Sequence, residues 1–174
     1  MSADASAELR KSTDAFTAFY DATVVDLLRY FTRAMAGDRA LAEDLTQETY
    51  IAAMRAAQRG HPDATTWPYL IGVARHKLVD QHRRRYREDH KLALAHAAGH
   101  GGSSSCADQS AEDTIMLLRS LSPDHRLVLV LRYLDDLPMQ EVADLIGRSV
   151  RATESIVVRA KRALGASIKA TSDV

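Results

Sequence analysis

The chain contains a single cysteine, Cys106. That excludes a disulfide framework within it. No run approaches the roughly 20 apolar residues that cross a bilayer. The stretch Met1 to Lys11 is polar and alanine-rich, without the apolar centre of a secretory signal. The expected location is cytoplasmic, with no membrane contact. There is no phosphate-binding glycine loop, no zinc-protease histidine motif and no nucleophile elbow. Asp44 and Glu48 are carboxylates four residues apart, but nothing in the sequence gives them a partner base. No catalytic residue and no cofactor are expected, and the chain reads as a non-enzyme. Period-two alternation and internal repeats are also missing, so the fold class is all-α.

Net charge is the last absence: 23 Lys and Arg balance 23 Asp and Glu. The distribution is uneven. Residues 148–170 carry Arg148, Arg151, Arg159, Lys161, Arg162 and Lys169 against Glu154 alone. Residues 104–144 carry Asp108, Glu112, Asp113, Asp124, Asp135, Asp136, Glu141 and Asp144 against three arginines. Phosphates respond to the nearest charges, so the basic segment is a candidate nucleic-acid footprint. The acidic one suits solubility or a basic protein partner.

At 174 residues the chain is long enough for one ordinary domain or two small ones. Residues 1–12 read as a disordered N-terminus. Residues 13–92 form the first domain. Phe16, Phe19, Tyr20, Val24, Leu27, Leu28 and Phe31 make a helical stripe that Gly37 ends. Asp38 caps a second helix carrying Leu41, Leu45, Ile51 and Met54. Gly60 to Asp63 breaks it, and a third helix runs from about Thr66 to Arg85. Residues 93–111 are rich in Gly, Ser and Ala and read as a flexible linker. Residues 112–170 form the second domain. There Ser122 and Pro123 start an apolar helix of Leu127, Val128, Val130, Leu131 and Leu134, which Asp135 and Asp136 close.

Two short helices then meet at Gly147 in a helix-turn-helix. Ala143 is small enough for a close crossing, and Gly147 tolerates the turn. At roughly 100° per residue, Val157, Ala160 and Leu164 share the inward face of Thr153. Arg151, Ser155, Val158, Arg159 and Arg162 face outward, where phosphates and base edges can be reached. Ser149 and Glu154 complete the candidate surface. A solvated basic helix is the bland alternative; the combination with the turn favours DNA.

In the first domain, Leu70, Val73 or Ala74, and Leu78 can pack inward, leaving Arg75, His76, Asp80, Arg83 and Arg84 outward. Trp67 and Tyr69 open this helix beside the loop Arg59 to Thr66, which includes His61. Aromatics beside cations can stack unpaired bases. A core anchor is the default for such a pair, and a domain-end charge run is the default for Arg83 to Arg85. Two rival readings remain. A one-site helix-turn-helix regulator would use the first domain for sensing or dimerisation. A metal site would use His90, His96, His100 and Cys106, but their spacing fits no compact site, and no metal is expected.

Taken together, these motifs resemble the extracytoplasmic-function (ECF) group of bacterial RNA polymerase sigma factors, over about Phe16 to Arg85 and Ile115 to Leu164. Ala42 to Tyr50 is similar to the segment docking on the clamp helices of the polymerase β′ subunit, which implies polymerase contacts for Asp44, Gln47 and Glu48. Trp67 to Asp80 is similar to the helix that opens and reads the −10 element. Leu121 to Tyr133 and the helix-turn-helix resemble the domain that reads the −35 element. The resemblance thus implies sigma domain 2 and sigma domain 4. It implies −10 roles for Arg59, His61, Trp67, Tyr69, Arg75, His76, Arg83 and Arg84, and −35 roles for the outer face of the recognition helix. The implied partners are core RNA polymerase, through the β′ clamp helices and β flap, promoter DNA, and an anti-sigma factor. The family often places a tryptophan where Tyr69 stands, so either aromatic can support melting. The segment Ser149 to Ile156 lacks the common proline, glycine and lysine pattern, so no −35 sequence preference is carried over.

Overall fold

The computed structural model describes residues 2–93 and 109–172, with side chains described over 14–88 and 114–169. All regular elements among them are helical. The first half contains α1 (Ser2–Ala34), α2 (Arg39–Gln58) and α3 (Trp67–Ala93). The second contains α4 (Gln109–Arg119), α5 (Pro123–Leu129) with a π-helical turn over Val130–Leu134, α6 (Met139–Ile146) and α7 (Val150–Ser172). The backbone of α1 begins at Ser2, ahead of the apolar stripe that starts at Phe16. The residues involved, among them Ala3, Ala5, Ala7, Glu8 and Leu9, are good helix formers. Most of the expected linker, residues 94–108, lies outside the described residues. The flanking residues at each end continue α3 and α4.

α1 closes with a sharp reversal. Ala36 and Gly37 both take left-handed backbone, at φ 54° and 81°. Gly37 is needed twice over, since a Cβ there would lie 2.7 Å from Arg119 Nη2 and 2.9 Å from Ile115 Cγ2. Asp38 then caps α2, accepting from the Leu41 amide at 3.2 Å. α2 buries mostly small residues, Ala42, Thr46, Thr49, Ala53 and Ala56, with Leu45 and Tyr50. Thr46 and Thr49 donate to the carbonyls of Ala42 and Leu45, both at 2.7 Å, so their burial leaves no unpaired hydroxyl. Ile51 and Met54 face solvent instead. α3 buries Leu70, Ala74, Leu78 and Val79 against the first two helices.

In the second half, Ser122 caps α5 by accepting from the His125 amide, with Pro123 at the first position. The apolar helix expected to run on to Leu134 instead widens into the π turn. Asp135 N–H donates to Val130 O, five residues back, at 3.0 Å. The wider turn shifts the direction of the side chains that follow. Leu131 is fully buried, while Leu134, the last residue of the expected apolar helix, is exposed. Asp136, at φ 50°, then reverses the chain, and Leu137 N–H reaches Leu131 O at 3.1 Å.

The two helical domains are packed on each other. One apolar cluster runs through Leu27, Phe31, Leu70 and Leu78 of the first and Leu127, Leu131, Leu137 and Val142 of the second. A separate cluster of Leu121, Val128, Leu129, Ile156, Val157 and Ala160 holds α5 to α7. Burial of these side chains is worth about 1.5–3 kcal/mol each before entropy is charged against it.

Candidate nucleic-acid interface

The helix-turn-helix is built as its residues suggest. Val142 and Ala143 are buried on α6, and Gly147 ends that helix at φ 70°, ψ 38°. Its amide returns to Ala143 O and Asp144 O, closing the turn. Ser149 starts α7: its hydroxyl accepts from the Ala152 amide at 3.3 Å and its carbonyl from the Thr153 amide at 2.9 Å. Thr153, Val157 and Ala160 are buried, and Leu164 is partly so. Ile156 joins them on the inner side. Arg151, Glu154, Ser155, Val158, Arg159 and Arg162 are all exposed. Ser155 donates to Arg151 O at 2.9 Å, and Arg159 Nε to Ser155 O at 3.2 Å. These local bonds hold the polar groups along one outward strip of α7.

A cationic aromatic site beside that strip was not foreseen. Exposed Tyr133 has Lys161 Nζ 4.9 Å and the Arg132 guanidinium 5.5 Å from its ring centre. Tyr133 lies within the π turn, whose wider step the residue spacing does not signal.

On the first half, the loop before α3 is a built turn. Gly60 takes φ 80°. His61 Nδ1 accepts from the Asp63 amide at 3.3 Å, and Thr66 Oγ1 donates to Asp63 O at 2.7 Å. Ala64 anchors the turn in the interior, while Arg59 and His61 stay exposed. Tyr69 is half-buried with its ring 4.6 Å from His61. Trp67 is 39% exposed, so the core-anchor default for the tryptophan is corrected. The first turn of α3 begins at the surface, with Trp67 and Pro68 exposed and Leu70 the first residue buried.

The outward cations of α3 divide. His76 and Arg84 are exposed. Arg75 is not outward: its side chain is 23% exposed and its Nε lies 3.2 Å from Asp135 Oδ2. Arg83 Nη2 donates to Leu145 O at 2.9 Å, and its Nη1 sits 3.6 Å from Asp80. Arg85 pairs with Asp38 at 2.9 Å. The expected terminal charge run is thus tied into the fold at two of its three members. Tyr30, His82 and Asp124 had no assigned role in the sequence, and Asp135 only that of closing a helix. The usable signal was the acidic stretch of residues 104–144 in a chain that also holds a basic α3.

On α2, Asp44, Gln47 and Glu48 are exposed on the same side as Ile51 and Met54. Glu48 accepts from Lys77 Nζ at 2.8 Å. Among the described residues, no group of three or more His, Cys, Asp or Glu could hold a metal ion. His96, His100 and Cys106 lie outside those residues, as does the side chain of His90. No described helix is long and apolar enough to cross a membrane.

Two family patterns match this geometry in order. Sigma-70 region 2 covers residues 22–88, and Sigma-70, region 4 covers residues 111–164. The first match falls on the helices that the rival one-site regulator would use for sensing, and sets that rival aside. The ECF RNA polymerase sigma-E factor of Salmonella typhimurium is 32% identical over 136 residues, covering 70% of this chain and 70% of that protein. The ECF RNA polymerase sigma factor SigC of Mycobacterium tuberculosis is 29% identical over 153 residues, covering 86% and 81%. The sigma factor RpoE of Bartonella quintana, solved in complex with the anti-sigma factor NepR, shares the fold with a TM-score of 0.56 and 22% identity over 88% of this chain and 96% of that one. The chain belongs to the extracytoplasmic-function family of RNA polymerase sigma factors.

Proposed function

We propose that the protein is an alternative sigma factor that binds bacterial core RNA polymerase and directs promoter-specific initiation through −10 and −35 elements. The observation that carries this reading is the pairing of two unlike DNA-facing surfaces on one chain. α7 offers Ser149, Arg151, Glu154, Ser155, Arg159 and Arg162 along an exposed strip suited to duplex DNA. The start of α3 offers exposed Trp67 beside the turn bearing Arg59 and His61, with Tyr69, His76 and Arg84 close in sequence. A stacking ring next to cations suits an unpaired strand, not a duplex.

Arg75 and Arg83 belong to the same −10 assignment, and both need their present partners removed. Asp44, Gln47 and Glu48, exposed with Ile51 and Met54, form a mixed acidic and apolar surface that suits a basic coiled coil on polymerase. The second domain supplies the surface for the β flap. An anti-sigma factor is a further partner of the proposal; the Bartonella relative was solved with one.

Run-off transcription with purified bacterial core polymerase and a genomic promoter pool tests the reading. Discrete transcripts dependent on the protein are expected. No transcript, together with no co-purification with core polymerase, would overturn it.

A further inference from the structure

Among the six Lys and Arg of residues 148–170 stands one acid, Glu154. Its carboxylate does nothing for the fold. It is exposed, and among the described residues its side chain makes no ion pair or hydrogen bond. The nearby cations are engaged elsewhere. Arg148 Nη2 lies 3.5 Å from Asp124, and Arg159 Nε donates to Ser155 O at 3.2 Å. Lys161, two turns on, has its Nζ 4.9 Å from the Tyr133 ring centre. Arg151, one turn back, is spaced to pair with Glu154, yet no pair forms. Glu154 is the fifth residue of α7, and the field of a helix N-terminus fades within the first turn. Neither an orienting role for a neighbouring arginine nor helix stabilisation accounts for it.

The direction of this carboxylate is set by what lies behind it. Thr153 is fully buried, and its hydroxyl donates to Ser149 O at 3.0 Å. Ile156 and Val157 are buried on the next turn. α7 cannot roll Glu154 inward without exposing them. Glu154 therefore stands with Arg151, Ser155 and Val158 on the exposed N-terminal part of the helix. That part of a recognition helix reaches base edges in the major groove. Val158, an exposed aliphatic among cations, suits base edges and not phosphate for the same reason.

A carboxylate placed there repels phosphate and weakens binding to every sequence. The loss is offset only where a base gives it a donor. Guanine shows two acceptors in the major groove, and thymine an acceptor and a methyl. Adenine sets an acceptor beside its amino group, which opposes the second carboxylate oxygen. Cytosine shows an amino donor without an acceptor. We infer that Glu154 reads the exocyclic amino group of a cytosine in the −35 element, and so makes that base a requirement of the promoters this protein selects. The inference rests on the assignment of α7 to −35 DNA, and adds to it the identity of one base and the residue that reads it.

The test uses holoenzyme assembled from bacterial core polymerase and the full chain. The probe is a pool of duplex promoters randomised across the −35 region, with bound DNA sequenced. The unaltered chain is expected to favour cytosine at one position by about fivefold or more. Glu154→Gln is expected to move that preference to adenine, because an amide accepts from N6 while donating to N7. Glu154→Ala is expected to erase it, while binding the pool as a whole at least as tightly. Identical base profiles in all three proteins overturn the inference, as does a preference for guanine, adenine or thymine at the position the variants change. Uniform tightening in both variants with no change of profile overturns it too, and makes Glu154 a plain repulsive charge. Arg151→Ala and Arg162→Ala in the same assay separate the two readings. If they weaken −35 selection while the Glu154 variants leave the profile intact, only the cytosine contact is lost. If none of these substitutions touches a −35 position, the assignment of this face of α7 to DNA falls, and the cytosine contact with it.

Discussion

Arg75 and Asp135 stand sixty residues apart in sequence, yet Nε of the first lies 3.2 Å from Oδ2 of the second. The contact joins the helix proposed to open DNA to the turn that leads into the helix-turn-helix. It is a charge contact without hydrogen-bond alignment. The aligned donor to the carboxylate is Tyr30, whose own hydroxyl is held protonated by burial and by the neighbouring negative charge. The junction is therefore a three-residue unit in which a neutral phenol satisfies the acid and the cation balances its charge.

Tyr30→Phe tests that unit. Removing a donor to a buried carboxylate costs about 1.5–3 kcal/mol. The loss should be smaller in an Asp135→Asn background, giving a coupling energy of about 1 kcal/mol in a double-mutant cycle read by urea unfolding. Fully additive losses would show that the hydroxyl and the carboxylate do not act together.

His82 gives the junction a pH dependence. Burial lowers its pKa below the ordinary imidazole value of about 6.5, more than Asp124 raises it; Arg148 and Arg126 add to the lowering. The packed chain therefore holds fewer protons on His82 than an unfolded chain does. Its contribution is present in full above about pH 6.5 and is lost as pH falls below that value. The urea midpoint should drop between about pH 7.5 and 5.5, and this slope should flatten in His82→Gln. An identical slope in that variant would move the titration to another group.

The helix-turn-helix was legible because its signals are local. Ala143, Gly147 and the spacing of Thr153, Val157 and Ala160 are read within about two turns of helix, and burial follows that spacing. The junction was not legible, because no local pattern says which acid meets which base. Asp135 reads as a helix terminator in sequence, and it does end one. Its second role depends on the π turn and on the left-handed Asp136, which together aim it at Arg75. Leu134 misled for the same reason: its spacing assumed an α turn where a wider one forms. Ile51 and Met54 stand on the expected helix but face solvent. Small residues fill the α2 contact face, so the larger apolar ones fall outside.

Gly147→Ala should destabilise the protein by about 1–2 kcal/mol, the cost of left-handed backbone for a residue with a Cβ. The added methyl would meet only the tip of Arg83, at 3.3 Å, which can move. Gly147→Asn should recover most of the loss, because asparagine tolerates this conformation. Thermal unfolding compares the two. An equal loss in both variants would place the cost at the Arg83 contact and not in the backbone.

On the outer strip of α7, Arg151→Ala and Arg162→Ala should each weaken −35 binding. A residue that reads a base costs about 1–3 kcal/mol and relaxes selectivity at one position. A residue that meets phosphate weakens all sites alike and reduces the salt dependence. Both side chains are exposed, so the fold should be unaffected. Holoenzyme binding to promoter variants at two salt concentrations separates the cases. Unchanged promoter use in both variants would mean that another face of the helix meets DNA.

Trp67→Ala should slow strand opening while leaving closed-complex formation near normal. The indole is 39% exposed at the start of α3, so its removal should cost less stability than the loss of a core ring. Stacking on an unpaired base is worth about 1–3 kcal/mol, so the open complex should lose about that much. Tyr69 is half-buried against His61, and Tyr69→Ala should instead perturb the loop itself. Permanganate reactivity of unpaired thymines reports opening, and filter binding at low temperature reports the closed complex. Normal opening in Trp67→Ala, with a defect in Tyr69→Ala that exceeds its stability loss, would transfer the stacking role to the tyrosine.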